Sequence, residues 1–310
     1  MTTPLRPMTL GEILDRTFNL YRNNFLLFAG IAVVPPAFML VVQVIQAGMV
    51  TAPGHPRNAS VAFAAAGGLG MIIGVIAYVV GVAVAHAATI FAVSAVHLDR
   101  TTSIGESYGR VRGHYGRVAW VIFQAALRSF GLSVLLIILA AVAMPLAIKG
   151  GGRAAGALVA IIVILAVIVA AIIGVVLYLR YSLAVPACVL EELKASTAIK
   201  RSVTLTAGVR GQIFVIYFLM GVITYIVMFV FLIPATFLAA LVAKGSPAVV
   251  TLFAALATFL AGTLAGPIAT IALSLVYFDQ RVRKEAFDIQ LMMAAVDGTP
   301  VAGVQAASAG

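Results

Sequence analysis

Six long apolar stretches constrain the fold of this chain more than any motif does. They cover residues 24–50, 58–98, 118–148, 154–179, 211–243 and 245–278, and Arg128 is the one residue in them that stays charged at neutral pH. About 20 apolar residues suffice for a helix to cross a bilayer. The chain is 63% hydrophobic and 10% charged, whereas soluble domains are about 45–50% apolar and about 25% charged. We therefore predict an all-α, polytopic integral membrane protein with six transmembrane helices.

The basic residues predict the orientation of these helices. Fifteen of the 20 Lys and Arg residues lie in the segments on one side of the six spans, and only Arg57, Lys149, Arg153 and Lys244 lie on the other. By the positive-inside rule, the first side and both termini are cytoplasmic. We expect a multi-pass protein of the cell membrane, that is, of a plasma or inner membrane. The insertion orientation of the chain and attraction to anionic lipid headgroups explain the excess of basic over acidic residues, so no nucleic-acid partner is predicted.

The stretch 58–98 is about twice the length that one crossing needs, and it could turn back around Gly67 to Gly70. A second crossing there would reverse every later span and move the Arg-rich connection 99–117 to the outer side. We therefore predict one long or bent helix.

Two amphipathic segments with matching starts precede pairs of spans. Thr9 and Glu12 have the spacing of a capping box, and Ser103 and Glu106 repeat it. An Arg follows each Glu by four residues, which predicts ion pairs between Glu12 and Arg16 and between Glu106 and Arg110. With apolar residues at helical spacing on the opposite face, both segments are predicted to be helices in the plane of the membrane interface.

A weaker third copy surrounds Arg201, where Thr197 replaces the Glu and no capping box remains. We infer a single membrane domain, 1–290, built of three parallel pseudo-repeats at 9–98, 103–180 and 194–279, each an interfacial helix and a transmembrane hairpin. A rough three-fold arrangement of hairpins would leave an axial space. The C-terminal tail, 291–310, is predicted to be disordered.

Three polar residues within the spans are candidates for a functional site. A charge near the bilayer centre costs at least about 2.5–3.5 kcal/mol, so Arg128 needs compensation. Gln124 lies one turn earlier, and the two could hold an anion or a lipid phosphate; alternatively, Arg128 extends to the membrane surface, or bonds backbone carbonyls and Gln124. His86 has no Cys, Asp or Glu at metal-ligand spacing, which favours a hydrogen-bonded packing histidine over a ligand.

Small and proline residues predict how the helices meet. Gly70 and Gly74, and Gly262 and Gly266, have the four-residue spacing that lets membrane helices approach closely. Pro35 and Pro36 predict a bend in the first span.

The sequence offers little for catalysis. It contains no GxSxG, HExxH or phosphate-binding loop, and no Asp or Glu lies inside a predicted span. The single cysteine, Cys188, excludes an intramolecular disulfide. We expect no enzymatic activity, no cofactor and no metal site.

Three segments carry a family resemblance: LGEILDRTFNLYRNNF near the N-terminus, AIKRSVTLT in the middle and LVYFDQRVRKEAFD towards the C-terminus. They resemble the hallmark segments of a bacterial membrane-protein family related to the membrane domain of glycerophosphoryl diester phosphodiesterases. In relatives of that name the hydrolase is a separate soluble domain, and only 22 residues follow Asp288 here. The resemblance implies an integral membrane module without the catalytic domain.

Two functions remain open from the sequence. The first is a non-catalytic membrane module that interacts with membrane lipids, with other membrane proteins or with further copies of itself. The alternative is a transporter or channel for a small anionic or amphiphilic solute, in which Arg128 faces a cavity between the three hairpins.

Overall fold

The computed structural model describes residues 7–51, 60–98, 100–243 and 246–285. All regular elements in these ranges are helices, as predicted. The tail 291–310, for which the sequence predicts disorder, lies outside the described residues. The helices, in chain order, are α1 (Leu10–Asn23), α2 (Phe25–Ala32), α3 (Val34–Thr51), α4 (Ser60–His97), α5 (Ile104–Val111), α6 (Tyr115–Tyr181), α7 (Ala184–Leu190), α8 (Ala195–Thr206), α9 (Arg210–Val242) and α10 (Pro247–Glu285).

Five described helical segments are long and apolar enough to cross a membrane, and α2 with the following part of α3 makes a sixth if the bent pair is one span. The pair is bent by 43°. The bend precedes Pro35 and Pro36, as the sequence predicts, because proline lacks the backbone N–H that continues a helix. Helix α4 runs unbroken from Ser60 to His97, so the prediction of one helix there is confirmed.

Helix α6 is a helical hairpin rather than one rod. Gly152 has a φ of 72° and a ψ of −168°, a conformation that glycine adopts easily and that reverses the chain. We call residues 115–150 and 152–181 its first and second limbs. A Cβ atom on Gly174 would lie 2.5 Å from the Ser129 carbonyl oxygen, so glycine is needed where the limbs touch.

Close glycine contacts also join the other spans. A Cβ atom on Gly74 would lie 2.6 Å from a Val42 methyl group, which places α4 against α3. One on Gly262 would lie 3.2 Å from the Pro36 ring, which places α10 against α3. The predicted small-residue packing is therefore confirmed for Gly74 and Gly262.

The order of elements follows the three predicted units, but the hairpins are not equivalent. In the most apolar 18 residues of α4, 67% of the residues are buried, compared with 6% and 11% in the corresponding stretches of the two limbs of α6. Helix α10 packs on α3, α4 and α9, whereas the α6 hairpin touches the rest of the bundle mainly through α4 and α8. The α6 hairpin is thus peripheral, and the arrangement departs from a regular three-fold one.

The short helices α1, α5, α7 and α8 gather at one end of the bundle, which we call the charged end. The start of α1 is capped as predicted: Glu12 N donates to Thr9 Oγ1 at 3.3 Å, and Thr9 N donates to the Glu12 carboxylate at 2.7 Å. Glu106 N donates to Ser103 Oγ at 3.2 Å at the start of α5. No side-chain cap starts α8, in agreement with the weaker third copy.

Candidate functional site

A cavity of about 290 Å³ lies between the hairpins. Helices α4, α6, α9 and α10 and the segment 181–186 form its walls. Its polar lining residues are His86, Tyr178, Tyr181, Ser182, Tyr217 and Thr270, and its apolar ones include Val82, Ile90, Ile122, Ala125, Ala126, Val185, Ala269 and Leu273. The cavity is therefore amphipathic, with hydroxyl and imidazole groups set among aliphatic side chains.

His86 is the one predicted site residue that reaches this cavity. It lies half-buried in α4, between Ala85 and Ala87, which are buried in the core. Among the described residues its imidazole has no hydrogen-bond partner. The hydrogen bond predicted for a packing histidine is therefore not found among the described residues.

Arg128 does not face the cavity. It is exposed on the outside of the α6 hairpin, and the cavity lining does not include it. Buried Ser129 follows it directly, and successive helical residues point about 100° apart. Arg128 is therefore on a different side of α6 from the residues that line the cavity, and the prediction that it lines a space between the hairpins is wrong.

Gln124 does not pair with Arg128 either. Its Oε1 atom, the only side-chain acceptor that an arginine could use, is buried and has no hydrogen-bond partner among the described residues. Helical side chains lean towards the helix N-terminus, which for the first limb of α6 is the charged end. Arg128 can therefore extend towards lipid headgroups at that end, as arginines near membrane interfaces do.

The charged end contains a cluster of charged and polar side chains. Of its members, the sequence analysis singled out only Arg201. Arg201 of α8 forms an ion pair with Glu191 at 3.1 Å and another with Glu285. Arg281, only 6% exposed, lies 3.9 Å from Glu191 and 3.3 Å from Glu285. The Tyr277 hydroxyl donates a short hydrogen bond to Glu191. We call these five residues the ion cluster; it joins α8, α10 and the turn that follows α7.

Electrostatics favour the charged form of Arg201. Partial burial alone would lower the pKa of its guanidinium, but the hydrogen bonds and ion pairs to Glu285 and Glu191 outweigh burial and raise that pKa above its ordinary value.

A second set of contacts ties the N-terminus to the same end of α10. Met8 N donates to Asp279 at 2.6 Å, and Arg283 bonds both Asp279, at 2.8 Å, and the Met8 carbonyl, at 2.6 Å. Lys284 donates to three carbonyls at the end of α8, where cations are favourable because the helix leaves its last carbonyls free. These contacts and the ion cluster hold α1, α8 and α10 together.

The interfacial ion pairs are only partly settled. The Glu12 carboxylate serves the α1 cap, and the Glu106 carboxylate accepts from Thr102 Oγ1 at 3.3 Å. The Arg110 guanidinium lies 6.0 Å from the centre of the Phe91 ring. Pairing of Glu12 with Arg16 and of Glu106 with Arg110 stays a prediction, whereas Arg201 has the two partners described above.

We compared the chain with models of known protein families, with curated proteins and with solved structures, and none of these comparisons gave a match.

Proposed function

We propose that this protein is a non-catalytic membrane module that binds a lipid or a similar amphiphile between its hairpins, with the charged end in the cytoplasm. The observation that carries the proposal is the amphipathic cavity of about 290 Å³ beside the peripheral α6 hairpin. Ligand sites are concave, mostly apolar and supplied with a few polar groups, and this cavity has all three properties.

The position of the cavity favours a membrane-derived ligand. Tyr178 lines it and is 39% exposed, and it belongs to the α6 hairpin, whose limbs are mostly exposed, so the cavity lies close to the surface that lipid chains would cover. An amphiphile could enter there without passing through water.

The orientation proposal places the cations of the charged end at the inner leaflet. Exposed Arg22, Arg112 and Lys200 lie on or beside α1, α5 and α8. Each basic residue near an anionic membrane surface contributes about 1 kcal/mol of attraction. The sequence segments resemble a family related to a membrane domain, which agrees with this role.

Retention of lipid by the purified protein tests the proposal. We expect native mass spectrometry to show bound lipid after extensive detergent exchange. Ala125→Phe should abolish this binding because Ala125 lines the cavity. Ala141→Phe is the matched control, since Ala141 is exposed on the same limb of α6, and it should retain the lipid. Equal lipid content in all three proteins, or none in the wild type, would contradict the proposal.

A further inference from the structure

Two polar side chains face the cavity without a protein partner. His86 enters it from α4 and Thr270 from α10. Hydrogen bonds from threonine hydroxyls to carbonyls four residues earlier occur elsewhere in α10, for example from Thr263 to Phe259 at 2.8 Å. Neither the His86 imidazole nor the Thr270 hydroxyl has a hydrogen-bond partner among the described residues. Because buried polar groups are nearly always hydrogen-bonded, these two are suited to binding a ligand.

The charge of the lining limits the chemistry of that ligand. No Arg, Lys, Asp or Glu belongs to the lining, and Arg128 lies on the outer surface. An ionised headgroup would lose its water on entry and gain no opposite charge, which is strongly unfavourable. An uncharged head loses far less hydration free energy on entry. It can also replace its hydrogen bonds to water with bonds to hydroxyl and imidazole groups, which both donate and accept.

The size of the cavity sets a second limit. A volume of about 290 Å³ lies at the lower end of the range for small-molecule sites, about 300–1,000 Å³. It suits a small head. Tyr217 lines the cavity, and its neighbours on α9, Phe214 and Phe218, are 49% and 61% exposed. Hydrocarbon tails that leave beside Tyr178 and Tyr217 would therefore meet an apolar outer surface.

We infer that the cavity selects a neutral lipid whose small head carries hydroxyl and carbonyl groups. His86 and Thr270 bind the head, and the tails leave between α6 and α9. This inference rests on the proposed function, because it specifies the ligand of the same cavity.

Photocrosslinking with two matched lipids tests the inference. One probe is a diacylglycerol with a photoactivatable chain, and the other is a phosphatidic acid with the same chains. In wild-type protein reconstituted in nanodiscs, we expect the diacylglycerol to label peptides of the cavity lining and unlabelled diacylglycerol to compete. The phosphatidic acid should label the lining at least about tenfold less.

Substitutions at Thr270 distinguish the loss of one hydrogen bond to the ligand from a general loss of folded protein. Thr270→Val removes the hydroxyl and keeps the shape, and we expect it to weaken diacylglycerol binding about fivefold, the effect of one hydrogen bond. Thr270→Ser retains the hydroxyl and should bind as the wild type does. His86→Phe should weaken binding to a similar extent. Thr263→Val is the matched control, since Thr263 lies on the same helix outside the lining, and it should have no effect.

The outcomes distinguish the two proposals. Equal or stronger cavity labelling by phosphatidic acid would overturn the inference and leave the proposed function standing. Wild-type affinity in both Thr270→Val and His86→Phe would also overturn the inference. If neither probe labels the cavity, the inference is overturned, and retention of lipid by the wild-type protein decides the proposed function.

Discussion

At the scale of single residues, the ion cluster explains how a membrane protein keeps acidic side chains partly buried. Glu191 is 15% exposed and Glu285 22%, and each carboxylate has two arginines within 4 Å. Charges removed from water are tolerated where partners of opposite sign and hydrogen bonds compensate them. Arg201 is central because its planar guanidinium contacts both carboxylates at once.

Removal of Arg201 should therefore destabilise the protein. We expect Arg201→Ala to cost about 2–4 kcal/mol, somewhat less than for a fully buried pair because Arg201 is partly exposed. Arg201→Lys, which keeps the charge and loses the fork-shaped donor set, should cost less. The measurement is the thermal unfolding midpoint in detergent. Lys200→Ala changes an exposed neighbour and serves as the control; equal midpoints for Arg201→Ala and Lys200→Ala would refute the role assigned to the cluster.

At the scale of elements, the α6 hairpin depends on its own contacts. Its limbs are mostly exposed, so the rest of the bundle adds little to their pairing. The limbs meet where Gly174 approaches the Ser129 carbonyl, and backbone atoms cannot move aside as side chains can. Close approach through glycine is a common way for membrane helices to pack.

A methyl group at this contact should force the limbs apart. We expect Gly174→Ala to destabilise the protein by about 1–3 kcal/mol, the usual cost of overpacking. Gly221→Ala is the matched control: Gly221 is also within a spanning helix, and a Cβ atom there meets nothing within 4 Å. It should be neutral or slightly stabilising, because alanine favours helix more than glycine does. Thermal midpoints of the two variants that coincide would show that the Gly174 contact is unimportant.

At the scale of the whole molecule, sequence patterns predicted the spans well and the site poorly. Apolar length and capping spacing depend on neighbouring residues, so they predicted the helices, the bend before Pro35 and the cap at Thr9 directly. The position of Arg128 depends on which side of α6 meets the bundle. The few polar residues near it, Gln124 and Ser129, do not lie on one face of the helix, so helical periodicity did not show which side of α6 is buried.

For the ion cluster, the sequence pointed to the segments that contain its residues but not to the contacts between them. Arg201 lies in AIKRSVTLT, and Tyr277, Arg281 and Glu285 lie in LVYFDQRVRKEAFD. These are two of the segments on which the predicted family resemblance rests. The pairing itself joins residues 191, 201 and 285, and one sequence without an alignment does not show such long-range contacts.

The orientation of the chain determines which side of the membrane the charged end faces, and the predicted topology depends on it. The charged end carries α1, α5 and α8, and its cytoplasmic location is part of the proposed function. Cys188 is the only cysteine and is buried, so a Cys188→Ala background suits labelling with single cysteines. Gly105, Lys200 and Gly150 are exposed, and a Cβ atom at Gly105 or Gly150 meets nothing within 4 Å.

The most direct test is labelling of intact cells with a membrane-impermeant maleimide. We predict that Gly150→Cys reacts from outside, whereas Gly105→Cys and Lys200→Cys react only after the membrane is permeabilised. Reaction of Gly105→Cys or Lys200→Cys in intact cells, with Gly150→Cys protected, would contradict the account.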